Sequence, residues 1–133
     1  MQRSKPVQSA PELCALLEQY YAESEQGNSV FLANLIDPDP GALVVGTDPN
    51  EWWVGGEHIV RIWSAAWIQR GGLPVRGSNP SAFREGSVGW LADQAVFRLP
   101  NGTELPFRLT AVFRQDGDGW KMVQAHFSFG VPD

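Results

Sequence analysis

The stretch VGWLADQAVFRLPNGTELPFRLTAVFRQDGDGWKMVQAHFSF, residues 88–129, decides the fold. Three runs rich in β-branched and aromatic residues alternate there with two clusters of turn residues, the pattern of an antiparallel meander. In Leu99-Pro100-Asn101-Gly102-Thr103 the proline suits the first corner of a type I turn, and the glycine suits the left-handed residue after it. A three-residue loop of this kind pairs Leu99 with Thr103, Arg98 with the opposite charge of Glu104, and further along Trp90 with Val112. A two-residue Asn-Gly loop would slip the register by one and turn one strand over. The charge pair and Pro100 favour the first. In the second hairpin, Asp116-Gly117-Asp118-Gly119 pairs Gln115 with Trp120 and, on the same count, Thr110 with Ala125.

Upstream the apolar period changes. Ser9 and Glu12 have capping-box spacing, Pro11 suits a first helical position, and Leu13, Leu16, Leu17 and Tyr20 recur at helical spacing before Gly27. A short second helix is predicted from Ser29 to about Ile36, stopped by Asp37-Pro38-Asp39-Pro40-Gly41. Leu43-Val44-Val45 reads as a strand and Gly46-Thr47-Asp48-Pro49-Asn50 as the loop leaving it. A third helix runs from about Glu57 to Gln69, with Ile59, Ile62, Trp63, Ala66 and Trp67 on one face. Strands follow at roughly 81–86, 88–99, 103–115 and 119–129. This order is that of an α+β domain, three N-terminal helices packed on a curved antiparallel sheet. One domain spans residues 1–133, with 1–10 expected as a flexible N-terminus.

The register sorts the strands into two faces. One carries Trp90, Gln94, Arg108, Thr110 and Phe127; the other carries Leu91, Phe107, Leu109, Gln124 and His126. Both are too apolar to face water, and three helices cover only one of them. The first is expected beneath the helices. The second is expected to form a homodimer contact through His126, Gln124 and Leu109.

Composition excludes several classes. Apolar residues are 43% and charged residues 19% of the 133, which is enough to bury and rules out disorder. No apolar run approaches the ~20 residues of a membrane span. The polar start, Met1 to Pro11, lacks the apolar stretch of a secretory signal, so a cytoplasmic protein without membrane contact is expected. Cys14 is the only cysteine and His58 and His126 the only histidines, with no clustered carboxylates, so no metal site is expected. No glycine-rich phosphate loop is present, and no cofactor is expected. The net charge of −5 divides into nine acids against Arg3 and Lys5 in residues 1–60, then eight bases against six acids. Neither half holds the basic stripe that nucleic acid requires.

Six tryptophans and seven phenylalanines are many for this length. Their ordinary work is core packing, but Trp63 and Trp67 on the third helix, with Trp90 and with Trp52 or Trp53, also suit the walls of an apolar cavity, and Trp53 and Phe127 are counted among its expected ligand contacts. Gln94, Arg108 and Thr110 on the same sheet face would give such a cavity polar contacts, whereas at a rim Arg108 is simply an ion-pair partner. Asp48, before Pro49, is a natural turn initiator, and Tyr20 on an apolar helix face is ordinarily a core residue with a bonded hydroxyl.

Gly46-Thr47-Asp48-Pro49-Asn50-Glu51-Trp52-Trp53, Gly55, Gly89-Trp90 and the run from Trp120 to Pro132 resemble the nuclear transport factor 2-like (NTF2-like) superfamily, most of all its SnoaL-like branch. The resemblance covers about Glu12 to Pro132 and implies a cone-shaped α+β fold. Among the enzymes of that superfamily, ketosteroid isomerase uses an aspartate base with a tyrosine and a protonated aspartate as oxyanion donors. Carried over by position, the base falls on Asp48 and the tyrosine on Tyr20. The third member falls on Thr110, a departure, because a hydroxyl donates less strongly than a carboxylic acid.

Two functions follow from this reading. One is a cofactor-independent isomerase, cyclase or dehydratase that moves a proton beside a carbonyl. In it Asp48 is the base, Tyr20 and Thr110 hold the oxygen, and Arg108 and Gln94 orient a polar end. The other is a non-catalytic module that binds an apolar small molecule or dimerises through its sheet.

Overall fold

The structure, a computed structural model, describes residues 6–133. β1 (Gln8–Ser9) leads into α1 (Pro11–Gln26), which opens on Pro11, where a missing N–H costs nothing, and closes at Gly27 in the left-handed conformation, φ 70°. Asn28 accepts the Phe31 N–H at 3.3 Å and caps α2 (Ser29–Leu35). β2 (Leu43–Val45) and β3 (Trp52–Val54) form a hairpin before α3 (Gly56–Arg70). β4 (Val75–Arg76), β5 (Ser81–Glu85), β6 (Val88–Arg98), β7 (Glu104–Asp116) and β8 (Gly119–Ser128) complete the chain. The strands form one open sheet in the order β1-β5-β6-β7-β8-β2-β3, with β4 beside β6. Every pairing is antiparallel except β2 with β8.

Three local expectations change. Ser9 does not cap α1 but pairs with Phe83 in β1, and Ala10 is buried with its N–H on the Ala82 carbonyl at 3.0 Å. Of the N-terminus expected to be flexible, residues 1–5 lie outside the described residues, while 8–10 are fastened to the sheet edge. β3 and β4 were not expected; two- and three-residue strands carry too few side chains to show a period.

The first hairpin keeps its register throughout, from Arg98 opposite Glu104 to Val88 opposite Arg114. The second begins as the turn dictates, Gln115 opposite Trp120 and Phe113 opposite Met122, and then shifts. Val112 faces Gln124 and Thr110 faces His126, so Val123 is a bulge that exchanges the faces of everything after it.

The helices also cover the opposite face from the one expected. Leu91, Ala95, Phe107, Leu109, Ala111 and Phe113 lie under Leu13, Leu17, Leu32 and Ile59, each no more than 3% exposed. Leu109, expected at a subunit contact, is 1% exposed beneath the helices. The physical reason is polarity. The other face interleaves Gln94, Arg108 and Thr110 with its apolar residues, and these would have to be desolvated to sit under a helix.

Glycines let α3 settle against its neighbours. A Cβ on Gly56 would stand 1.8 Å from the Asp37 carbonyl oxygen, and one on Gly27 would stand 2.7 Å from that of Trp67. Next to the first contact, the buried Asp37 carboxylate accepts the Asp39 N–H at 2.9 Å and the Arg114 guanidinium at 2.6 Å. Burial alone would raise its pKa; these donors outweigh burial and hold it below the usual carboxylate value. Gly56→Ala should therefore lower stability by about 2–3 kcal/mol, the scale of an overpacked contact with backbone that cannot swing away. Thermal unfolding of the two proteins checks this, and an unchanged Tm would contradict the close approach.

Candidate functional site

A cavity of about 300 Å³ opens between α3, the end of α1 and the inner sheet face. Helical spacing puts Trp63, Ala66, Trp67 and Arg70 on one stripe of α3, and all four line it. The sheet contributes Trp53 from β3, Phe97 from β6 and Phe127 from β8, and α1 contributes Tyr20. The rings lock one another. Trp53 meets Trp63 edge-on at 6.1 Å, Trp63 meets Phe127 at 6.0 Å, and Tyr20 meets Trp67 at 5.7 Å. Phe127 reaches this wall only because the Val123 bulge turned it inward.

Tyr20 is 6% exposed, and its hydroxyl has no hydrogen-bond partner among the described residues. Among the described residues no buried side-chain nitrogen or oxygen is left without a partner, so this hydroxyl opens onto the cavity its ring lines. Burial pushes its pKa above the ordinary phenol value, which keeps it a neutral donor. Its neighbour Tyr21 is spent on structure, donating to the buried Asp93 carboxylate at 2.7 Å. Asp93 also accepts the Ser78 hydroxyl at 2.8 Å and the Asn79 N–H at 3.0 Å. Burial, then the bond to Asp93, raises the Tyr21 pKa as well.

Asp48 stands outside the cavity. It is exposed, accepts the Asn50 N–H at 2.9 Å as a turn initiator does, and donates its own N–H to Glu51 Oε1 at 3.0 Å. Glu51, half-buried, is the carboxylate that lines the cavity, together with Thr47 and the exposed Arg70. Sequence reasoning passed over Glu51, although alternation along a strand places it two residues before Trp53 on the same side. Arg70 was missed for the matching reason on the helix, three residues beyond Trp67.

Thus the structure brings Tyr20, Trp53, Trp63, Trp67 and Phe127 together. It does not bring Trp90, Gln94, Arg108 or Thr110 to them. Those four stand on the outer sheet face, Trp90 half-buried and the others exposed, because the helices cover the reverse side. Among the described residues no three His, Cys, Asp or Glu side chains gather as metal ligands, and no helix is long and apolar enough to cross a membrane.

Residues 13–132 match the SnoaL-like domain family. The chain belongs to that family. Solved structures resemble this SnoaL-like domain over most of its length. An NTF2-like protein of unknown function from Pseudomonas putida KT2440 has a TM-score of 0.76 at 13% identity, covering 92% of this chain and 87% of that one. An NTF2-like superfamily protein from Salmonella enterica serovar Typhimurium LT2 has a TM-score of 0.72 at 14% identity, covering 92% and 91%. A protein from Parabacteroides distasonis ATCC 8503, described as a candidate ketosteroid isomerase, has a TM-score of 0.72 at 19% identity, covering 92% and 89%. Likeness at such identities carries the fold alone. A comparison with curated proteins gives no match.

Both tyrosines of the domain are buried with raised pKa values, which has a pH consequence. The folded state holds the phenolic protons more tightly than the unfolded chain does. The stability this confers is intact below about pH 10, the free phenol value, and falls as pH rises above it. Phenolate absorbance should appear together with loss of circular dichroism, not before it. A phenolate signal near pH 10 in a still-native protein would contradict the burial of both rings.

Proposed function

We propose that this SnoaL-like domain binds a small, mostly apolar ring compound in the cavity and orients it by a hydrogen bond from Tyr20 to a carbonyl oxygen. The observation that carries this reading is the Tyr20 hydroxyl, on a residue 6% exposed, which opens onto the cavity and which no described residue satisfies. A ligand acceptor there would gain one neutral hydrogen bond, about 0.5–1.5 kcal/mol. The volume of about 300 Å³ is at the small end of ligand sites, and six aromatic side chains in its lining favour a flat occupant.

The same geometry supports cofactor-independent proton transfer beside that carbonyl, in the manner of an isomerase, cyclase or dehydratase. A base must come within about 3 Å of the proton it removes. Glu51 lines the cavity and is the better candidate for the base, with Asp48 acting through its N–H to fix the Glu51 carboxylate. Tyr20 would then hold the oxygen on which charge develops.

Tryptophan-fluorescence titration with a panel of cyclic and aryl ketones and enones, each matched to a hydrocarbon of the same shape, tests the binding. Tyr20→Phe should weaken the ketones about 5- to 10-fold, the worth of one neutral hydrogen bond, and leave the hydrocarbons unchanged. Equal loss for both sets, or none, would remove Tyr20 from the site. Where the wild type turns over an enone, Glu51→Gln should slow it about 100-fold or more with little change in binding. Ligands that bind without turnover would make the domain a carrier and retire the base.

A further inference from the structure

Arg70 is the one cation among the described residues that line the cavity, and there it has neither an ion-pair nor a hydrogen-bond partner. Other arginines are spent on acids: Arg76 on Glu104, Arg84 on Glu12 and Arg114 on Asp37. An arginine in the last turn of a helix ordinarily donates to the final carbonyls, but Arg70 makes no such bond. Its backbone is fixed all the same. The Gly71 N–H donates to the Trp67 carbonyl at 2.9 Å, and the Gly72 N–H donates to the Ser24 carbonyl in α1 at 2.7 Å. Helical Cα–Cβ bonds lean toward the N-terminus, so the Arg70 arm lies back over Ala66 and Trp67, which also line the cavity. Trp67 in turn packs on Tyr20 at 5.7 Å. One indole therefore links the free phenol to the turn that carries the free guanidinium.

We propose that the ring ketone held by Tyr20 also carries a carboxylate, that Arg70 binds it, and that the ligand class is therefore a cyclic or aryl keto acid. The inference rests on the ligand reading of the cavity and narrows it. A guanidinium is a planar fork that meets a carboxylate in two parallel hydrogen bonds, and here no protein acid occupies that fork. A phosphate fits less well. Its higher charge calls for several donors, and the backbone donors beside Arg70, the N–H groups of Gly71 and Gly72, are already spent. Glu51 in the same lining would also repel a doubly charged group more than a singly charged one. In a chain of net charge −5 most of the surface turns anions away. A free cation over aromatic walls then selects acids that are also ring compounds. Held at the acid by Arg70 and at the ketone by Tyr20, such a ligand is fixed at two points, which a simple ketone is not.

Isothermal titration calorimetry with 4-acetylbenzoate, its methyl ester, 4-ethylacetophenone and 4-ethylbenzoate tests it. The wild type should bind 4-acetylbenzoate about 5- to 10-fold more tightly than either neutral ketone, between the worth of an exposed ion pair and that of a buried charge-assisted bond. Arg70→Gln should remove this advantage and leave the ester and 4-ethylacetophenone unchanged, while Arg70→Lys should keep part of it. Arg70 is exposed, so neither change disturbs the core. A second readout needs no variant: raising the salt concentration should weaken the acid toward the ester and leave the ester where it was. Neutral ketones that bind while the acid gains nothing, or an acid advantage that survives Arg70→Gln, would overturn this proposal and leave the cavity reading standing. Absence of binding by all of these compounds would overturn both.

Discussion

Val123 is one residue too many for its partner strand, and much of the molecule depends on that excess. An antiparallel pair alternates strictly, so without the bulge Gln124, His126 and Ser128 would point under the helices and Phe127 would point to solvent. With it, Ala125 sits at 0% exposure where only a small side chain fits, and Phe127 closes one wall of the cavity. The bulge falls between two parallel partners of β8. Before it Met122 bridges Ile36 at the end of α2, and after it Gln124 pairs with Leu43 at the start of β2. A bulge bends its strand and adds twist, which lets β8 leave the helix end and continue into the β2–β3 hairpin. Cavity wall and outer sheet face therefore have a common origin.

The buried polar groups divide into those that fasten the fold and one that does not. Asp37, through Arg114, ties the far end of β7 to the segment between α2 and β2. Asp93 gathers three donors from α1 and residues 78–79, so a carboxylate with no cationic partner among the described residues is still hydrogen-bonded beneath the helices. Removing one donor from either would leave a buried carboxylate short of a bond, which costs more than the bond itself contributes. Tyr20, beside Tyr21 and packed on Trp67, is held as firmly by its ring but keeps its hydroxyl free.

Much of the frame was legible because local chemistry dictates it. The Pro-Asn-Gly turn and the Arg98–Glu104 pair set the register of β6 and β7 correctly, and the three helices lie within a residue or two of their expected spans. Which face the helices cover was not legible. Both faces are apolar enough to be buried, and alternation fixes which residues share a side without saying which side is inside. The bulge was hidden for a related reason: Val123 is as good a strand residue as its neighbours, and nothing in its identity marks it as extra. The face error alone displaces Trp90, Arg108 and Thr110, which lie on β6 and β7, whereas for Phe127, beyond the bulge, the two errors cancel and it lines the cavity. The family motif puts the base on Asp48, whereas its local signal, Asp-Pro, is that of the turn it initiates. Three residues further, the alternation that brings Trp53 inward brings Glu51 with it.

The arrangement of polarity around the cavity limits the chemistry it can do. Its interior is aromatic, its charges, Glu51 and Arg70, stand at the rim, and its one deep polar group is a phenol whose proton burial holds fast. Low polarity strengthens any hydrogen bond formed there, because water does not compete for it. A phenol held protonated is also a weaker acid than a carboxylic acid, and Thr110, which the family resemblance puts in the acid's place, faces the other way. A single neutral donor stabilises a developing enolate less than a paired set does. On the proposed reading, the proton this site would move is therefore one already acidified by its own molecule, beside a conjugated or doubly activated carbonyl. Glu51 at the rim, where water reaches it, suits a substrate that enters with its reacting carbon near the mouth and its carbonyl oxygen pointing inward to Tyr20.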